Sequence, residues 1–140
     1  MELNEFLKEK YNWSDIELIN YSDLNQIFKK SNYCASSELL GFISHFYNLH
    51  ILFLHCDVNF NIKKVLSDYP YNLFFDQFCE LIGKSNLTPF AEIKGGHMVL
   101  VADDDNFIYG IFDDCMVEFG NNYYNMLNRL YQMSLVSHKK

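Results

Sequence analysis

In the first half of the chain, apolar side chains recur every three or four residues over three separate stretches. They are Leu3, Phe6, Leu7 and Tyr11 in ELNEFLKEKYNW, Leu24, Ile27 and Phe28 in SDLNQIFKK, and Leu39, Leu40, Ile43, Phe46 and Tyr47 in SSELLGFISHFYN. Each set falls on one face of a helix, so the spacing predicts three amphipathic helices. Ser22 stands where its hydroxyl can cap the second. The period then changes. Val58, Phe60 and Ile62 alternate with Asp57, Asn59 and Asn61, and a period of two puts every other side chain on one face of a strand, so LHILFLHCDVNFNI reads as a strand. After Pro70 a helical pattern returns with Phe74, Phe75, Phe78, Cys79, Leu81 and Ile82. Gly83 closes that helix, because glycine enters the left-handed region without a Cβ clash.

The second half is dominated by short apolar runs. HMVLVA and FIYGIF flank DDDN, the pattern of two strands joined by a polar turn. In CMVEF the alternation predicts Cys115, Val117 and Phe119 inward and Glu118 outward. Gly120 and two asparagines end that strand, and Asn121 or Asn122 caps a last helix carrying Tyr123, Met126, Leu127, Leu130 and Tyr131 on one face. Helices followed by a meander and a closing helix predict an α+β fold, a mainly antiparallel sheet packed against several helices, as a single domain over residues 1–140.

Composition fits one packed core. Of 140 residues, 49% are hydrophobic and 17% aromatic, with thirteen Phe and ten Tyr, which excludes intrinsic disorder as the main state. Two prolines and six glycines leave no linker-like tract, so only the termini, such as SHKK, are expected to be loose. The N-terminus lacks an apolar signal segment and no apolar run approaches the ~20 residues of a membrane span, so the expectation is a cytoplasmic protein without a membrane partner. The four cysteines have no CxxC spacing and are read as buried free thiols. Eighteen acids against eleven bases give a net charge of −7, a field that repels phosphate backbones and attracts cationic surfaces; nucleic acid is disfavoured as a partner and a basic protein favoured.

The charge has a focus. Residues 101–120 hold Asp103, Asp104, Asp105, Asp113, Asp114 and Glu118 with no Lys or Arg among them. A calcium loop is excluded: starting from Asp103, Phe107 and Ile108 occupy positions that need an acid and a glycine. A divalent ion between Asp103, Asp105 and Asp113 would need the hairpin to bring the two acid clusters to neighbouring ends of the sheet, whereas turn aspartates are more often solvated or bonded to their own backbone. GKS at Gly83–Ser85 lacks the upstream glycine of a phosphate loop, since position 78 is Phe, and reads as a helix end. His45, His50, His55 and Cys56 have a spacing that suits neither a helix face nor one side of a strand, so zinc is not expected. His97 has no nucleophile or cradle motif beside it. Trp13 reads as a core plug. No catalytic residue, metal or cofactor is expected.

The order of segments resembles the SUKH superfamily, named after a fungal cell-wall regulator group, and in particular its third bacterial subgroup of immunity proteins. LKEKYNW resembles the opening helix that ends in Gly-Trp, with Asn12 for Gly. SSELLGFISHFYNLHILF resembles FLxxFGGL, with Tyr47 and Asn48 at the glycines. NLTPFAEI is similar to LxPIGE, with Pro89 kept and Ala91 for Gly. HMVLVADDDNFIYGI resembles the hairpin lxiDexGxvY, with Asn106 at the glycine, and MVEFGNNYYNMLNRL is similar to the closing strand and helix, with Gly120 matching. The resemblance implies a compact α+β domain that binds and neutralises a toxin, typically the C-terminal effector of a polymorphic or contact-delivered system and often a basic nuclease. The acidic stretch suits a cationic nuclease groove, so Asp103, Asp104, Asp105, Asp113, Asp114 and Glu118 are the expected partner-facing residues, with Tyr109 and Phe112 as aromatic anchors. The same fold also serves regulatory adaptors that bind a cellular protein or peptide, and that is the alternative expectation.

Overall fold

The structure, a computed structural model, describes residues 1–71 and 75–136, the last three by their backbone alone. Phe74 and the SHKK tail therefore lie outside the described residues. Three helices come first: α1 (Leu3–Tyr11), α2 (Tyr21–Lys30) and α3 (Ser37–Ser44). The short strands β1 (His50–Leu52) and β2 (Asp57–Asn59) follow, then α4 (Ile62–Asp68) and α5 (Asp76–Ile82). The chain ends with β3 (Thr88–Ile93), β4 (Met98–Ala102), β5 (Ile108–Phe112), β6 (Cys115–Gly120) and α6 (Tyr123–Val136). The six strands form one antiparallel sheet in sequence order. This is an α+β single domain with the sheet packed against helices, as the hydrophobic pattern predicts.

Cross-strand partners share a face, so Glu92, Val99 and Ile111 lie on one side of the sheet and Ala91, Leu100 and Gly110 on the other. α4 covers the first side, where the Lys64 ammonium meets buried Glu92 at 2.7 Å and Asp68 at 2.6 Å. α6 covers the second, where the Arg129 guanidinium stands 5.8 Å from the Phe119 ring. Covered on both sides, β3 and β4 are buried throughout, and a strand buried on two faces carries no alternation. The unbroken apolar run of β4 still marks a strand, whereas Thr88, Pro89 and Glu92 interrupt that of β3, so the pattern did not reveal it. Trp13 plugs the α1 end of the core: it stacks on Phe46 at 5.1 Å and its indole N–H donates to the His45 carbonyl at 2.8 Å.

Several local expectations are corrected. The cap of α2 is Asn20, whose side chain accepts from the Asp23 N–H, and Ser22 lies inside the helix. The single strand expected before Ile62 is a hairpin, turned where the Phe53 N–H donates to the Cys56 carbonyl. Ile62 is not in a strand but opens α4, because Asn61 caps that helix by accepting from the Lys64 N–H. Val58, Phe60 and Ile62 are all buried nonetheless. Gly83 closes α5 at φ +70°, as expected, but Leu81 projects into solvent at 75% exposure, since α5 has less than three turns and buries only Phe78 and Cys79. In β6 only Phe119 is fully buried, with Met116 half-buried against the core; Cys115 and Val117 are exposed beside Glu118, because β6 is the last strand of the sheet. The four cysteines form no disulfide, but only Cys79 is buried, and Cys34 and Cys115 are exposed. No helix among the described residues is long and apolar enough to cross a membrane.

Three of the positions where the resembled family carries glycine hold asparagine here, and all three are left-handed: Asn12 at φ +53°, Asn48 at +65° and Asn106 at +63°. Asparagine tolerates this region better than other side chains with a Cβ. Asn12 ends α1 there, its N–H donating back to the Lys8 carbonyl.

Candidate binding face

The turn between β4 and β5 is built on Asp103. Its Oδ1 accepts the Asp105 N–H at 2.9 Å and the Phe107 N–H at 3.0 Å, and its Oδ2 accepts the Tyr109 hydroxyl at 3.1 Å. A short acceptor two residues before a turn N–H is the ordinary way an aspartate organises a loop. Asp103 is 4% exposed and Tyr109 6%, so these two predicted contact residues form the turn's interior and present no surface to a partner. Burial, then the neighbouring Asp103 charge, pushes the Tyr109 phenol up to about 12.

Asp104 and Asp105, by contrast, stand in solvent. Their own stretch has no base, and the loop after α5 supplies one: Lys84 pairs with Asp105, while the neutral Asn86 amide donates to Asp104 at 3.3 Å. Next to them, Asn106 joins three elements. Its side-chain oxygen accepts the Ser36 hydroxyl at 2.6 Å and the Tyr123 hydroxyl at 2.7 Å, and its amide donates to Glu38 at 2.9 Å. Ser36 is the cap of α3 and Tyr123 the first residue of α6. The turn is thereby tied to both helix N-termini, and Asn122 caps α6 by accepting the Asn125 N–H.

These elements enclose an open groove of about 410 Å³ between α3 and the start of α6, with Glu38, Phe42, Asp105, Asn121 and Tyr124 among its lining residues. Hydrogen bonds from the Ser37 hydroxyl and the Asn106 amide hold the Glu38 carboxyl below the usual glutamate range, so it is ionised at neutral pH. The Tyr124 ring is 43% exposed and meets Phe42 edge-on at 5.1 Å. Sequence reasoning did not single out Glu38, Phe42 or Tyr124. Their only local signal is membership of two helices whose apolar faces point to the core.

Phe112, Asp113 and Asp114 lie elsewhere. The two acid clusters sit at opposite ends of β5, a separation of roughly 15 Å at about 3.3 Å per residue. The hairpin therefore does not bring Asp113 to Asp103 and Asp105. Phe112 is half-buried and lines a separate cavity of about 220 Å³ with Lys94, His97 and Met98. Glu118 is exposed on the edge strand. Of the eight predicted contact residues, only Asp104 and Asp105 stand exposed together at the turn beside the groove.

The histidines are dispersed: His45 meets Asp15 at 2.5 Å and His50 meets Asp57 at 2.6 Å. Among the described residues, no three or more His, Cys, Asp or Glu side chains converge as a metal site. The groove combines fixed carboxylates, carboxamides and an exposed aromatic ring, an arrangement suited to recognising cationic groups. Comparison with known proteins finds no family model, no curated protein and no solved structure that matches the chain.

Proposed function

We propose that the protein is a cytoplasmic, non-catalytic immunity protein of the SUKH kind, which binds and neutralises a basic toxin of the nuclease type. The observation that carries this reading is the acidic rim formed by Glu38, Asp104 and Asp105, net negative with Lys84 offsetting one of the three charges, which the Asp103 turn and the Asn106 junction hold in fixed positions beside an exposed tyrosine. Preorganised charge of one sign steers a cationic partner over distances beyond contact, with association rates up to ~10⁸–10⁹ M⁻¹s⁻¹ at low salt. Rapid capture is what an inhibitor needs when its target acts on the cell's own nucleic acid.

The resemblance gains support from the left-handed asparagines, since Asn12, Asn48 and Asn106 provide the backbone geometry for which the family's motifs use glycine. The test is to co-express the protein with the toxin encoded by the neighbouring gene and to assay nuclease activity with and without it. A stable complex that silences the nuclease is expected; absence of both overturns the proposal. In that complex, Asp104→Lys with Asp105→Lys is expected to slow association at least tenfold at low salt, with the difference shrinking as salt rises.

A further inference from the structure

Gly41 sits within α3, where a glycine destabilises the helix relative to alanine. No contact in the fold explains it: its φ is not positive, and a Cβ built there meets nothing within 4 Å. What a side chain would enter is the groove beside Glu38 and Tyr124, whose lining includes Gly41. The helix thus forgoes stability at one position, and the effect is to keep this groove open.

We propose that the groove is an arginine notch, which takes the guanidinium group of a basic protein partner between the Glu38 carboxylate and the Tyr124 ring. The inference rests on the toxin-binding reading and names the chemistry of that contact. A guanidinium is planar, so it can fork onto a carboxylate while its face lies on an aromatic ring; a lysine ammonium makes the first contact only as a point charge. Both halves of such a receptor are fixed in advance. The Asn106 amide and the Ser37 hydroxyl orient Glu38, and the rings of Phe42 and Phe46, at 5.1 and 5.9 Å, orient Tyr124. Asp105 lines the groove with its charge shared with Lys84, and Asp15, which meets His45, stands near enough to the Tyr124 phenol to help, after burial, to keep it neutral. Asn121 and Asn122 supply carboxamide oxygens to the remaining guanidinium N–H groups. A phosphate or carboxylate ligand would meet like charge here.

The notch is tested by titrating the intact protein with capped Gly-Arg-Gly and Gly-Lys-Gly peptides while following amide and aromatic NMR signals. The arginine peptide is expected to shift Asn121, Asn122 and Tyr124 resonances with a dissociation constant on the order of 1 mM, and the lysine peptide to bind at least fivefold more weakly. Glu38→Gln and Gly41→Leu should each remove the shifts. Gly41→Leu should do so without lowering the unfolding midpoint, because the leucine fills empty space and improves helix propensity. Equal binding of both peptides, absence of groove shifts, or binding that survives Gly41→Leu overturns the proposal. The two readings fail separately: a toxin complex undiminished by Gly41→Leu sinks the notch alone, whereas peptide binding with no toxin complex leaves the notch and removes the toxin.

Discussion

At one end of β5 the chain turns through Asp103–Phe107, at the other through Asp113 and Asp114, and in sequence the two turns look alike. Both are acidic, and both contain a left-handed residue that is not glycine, Asn106 at φ +63° and Asp113 at φ +52°. In the fold they differ. The first buries Asp103 under three hydrogen bonds and joins α3 and α6 through Asn106. The second is a two-residue connection whose carboxylates are exposed, with Asp114 beside the exposed Cys115 thiol. An aspartate in a turn is a charge for a partner only when the turn does not consume it. The number of acids in a segment therefore overstates its available field.

The largest test of this contrast is Asp103→Ala. It leaves two N–H groups and a buried phenol without their acceptor, and the expected loss is about 3 kcal/mol in urea unfolding, against less than ~0.5 kcal/mol for Asp114→Ala. Comparable losses at both positions would show that the turns are equivalent after all.

The second test extends the contrast to Glu92, the other buried acid, whose partner is a lysine instead of backbone. Lys64→Met is expected to cost about 2 kcal/mol at pH 7, less than a fully buried pair because Lys64 is half exposed. Burial already raises the Glu92 pKa, with Lys64 partly opposing the rise. Without Lys64 the folded value rises further above the unfolded one. The folded state then holds a proton that the unfolded state has released, so stability falls as pH rises from the ordinary glutamate value through the raised one. The cost of Lys64→Met should accordingly shrink on acidification below that window, as read from unfolding midpoints across pH. A cost independent of pH would mean that packing of the lysine stem, not charge, holds the pair.

Glycine substitution at the two left-handed positions gives a smaller effect and opposite signs. Asp113→Gly should stabilise by roughly 0.5 kcal/mol, since it relieves backbone strain and removes no buried contact. Asn106→Gly keeps the backbone geometry but removes the junction to Ser36, Glu38 and Tyr123, and should destabilise by about 1 kcal/mol. Thermal unfolding distinguishes the two, and stabilisation by both would show that Asn106 serves the turn alone.

The smallest effect is spectroscopic. The Tyr109 phenol should ionise near pH 12, and Asp103→Asn should lower that titration by removing the adjacent charge; an unchanged titration would leave burial, with the charges of Glu118 and Asp105, as its cause.

Much of the architecture is written in local pattern. The apolar faces of α1, α3 and α6, the β4–β5 hairpin, the end of α5 at Gly83 and the α+β class follow from spacing and turn chemistry, because one-sided burial leaves a periodic record along the chain. β3 left none, because Thr88, Pro89 and Glu92 break its apolar run, and β6 misled, because an edge strand leaves exposed what alternation assigns to the interior. The acidic character of the 101–120 segment was equally legible, but which acids remain available was not. Asp105 meets Lys84, 21 residues away, and Asn106 meets Glu38 and Ser36, 68 and 70 residues away. Hydrogen-bond partners and groove walls are set by which distant elements the packing brings together. The sequence by itself determined the elements and the sign of the charge; the tertiary structure decided that Asp103 is interior, that Asp113 and Asp114 stand apart, and that Glu38 and Tyr124 face one opening.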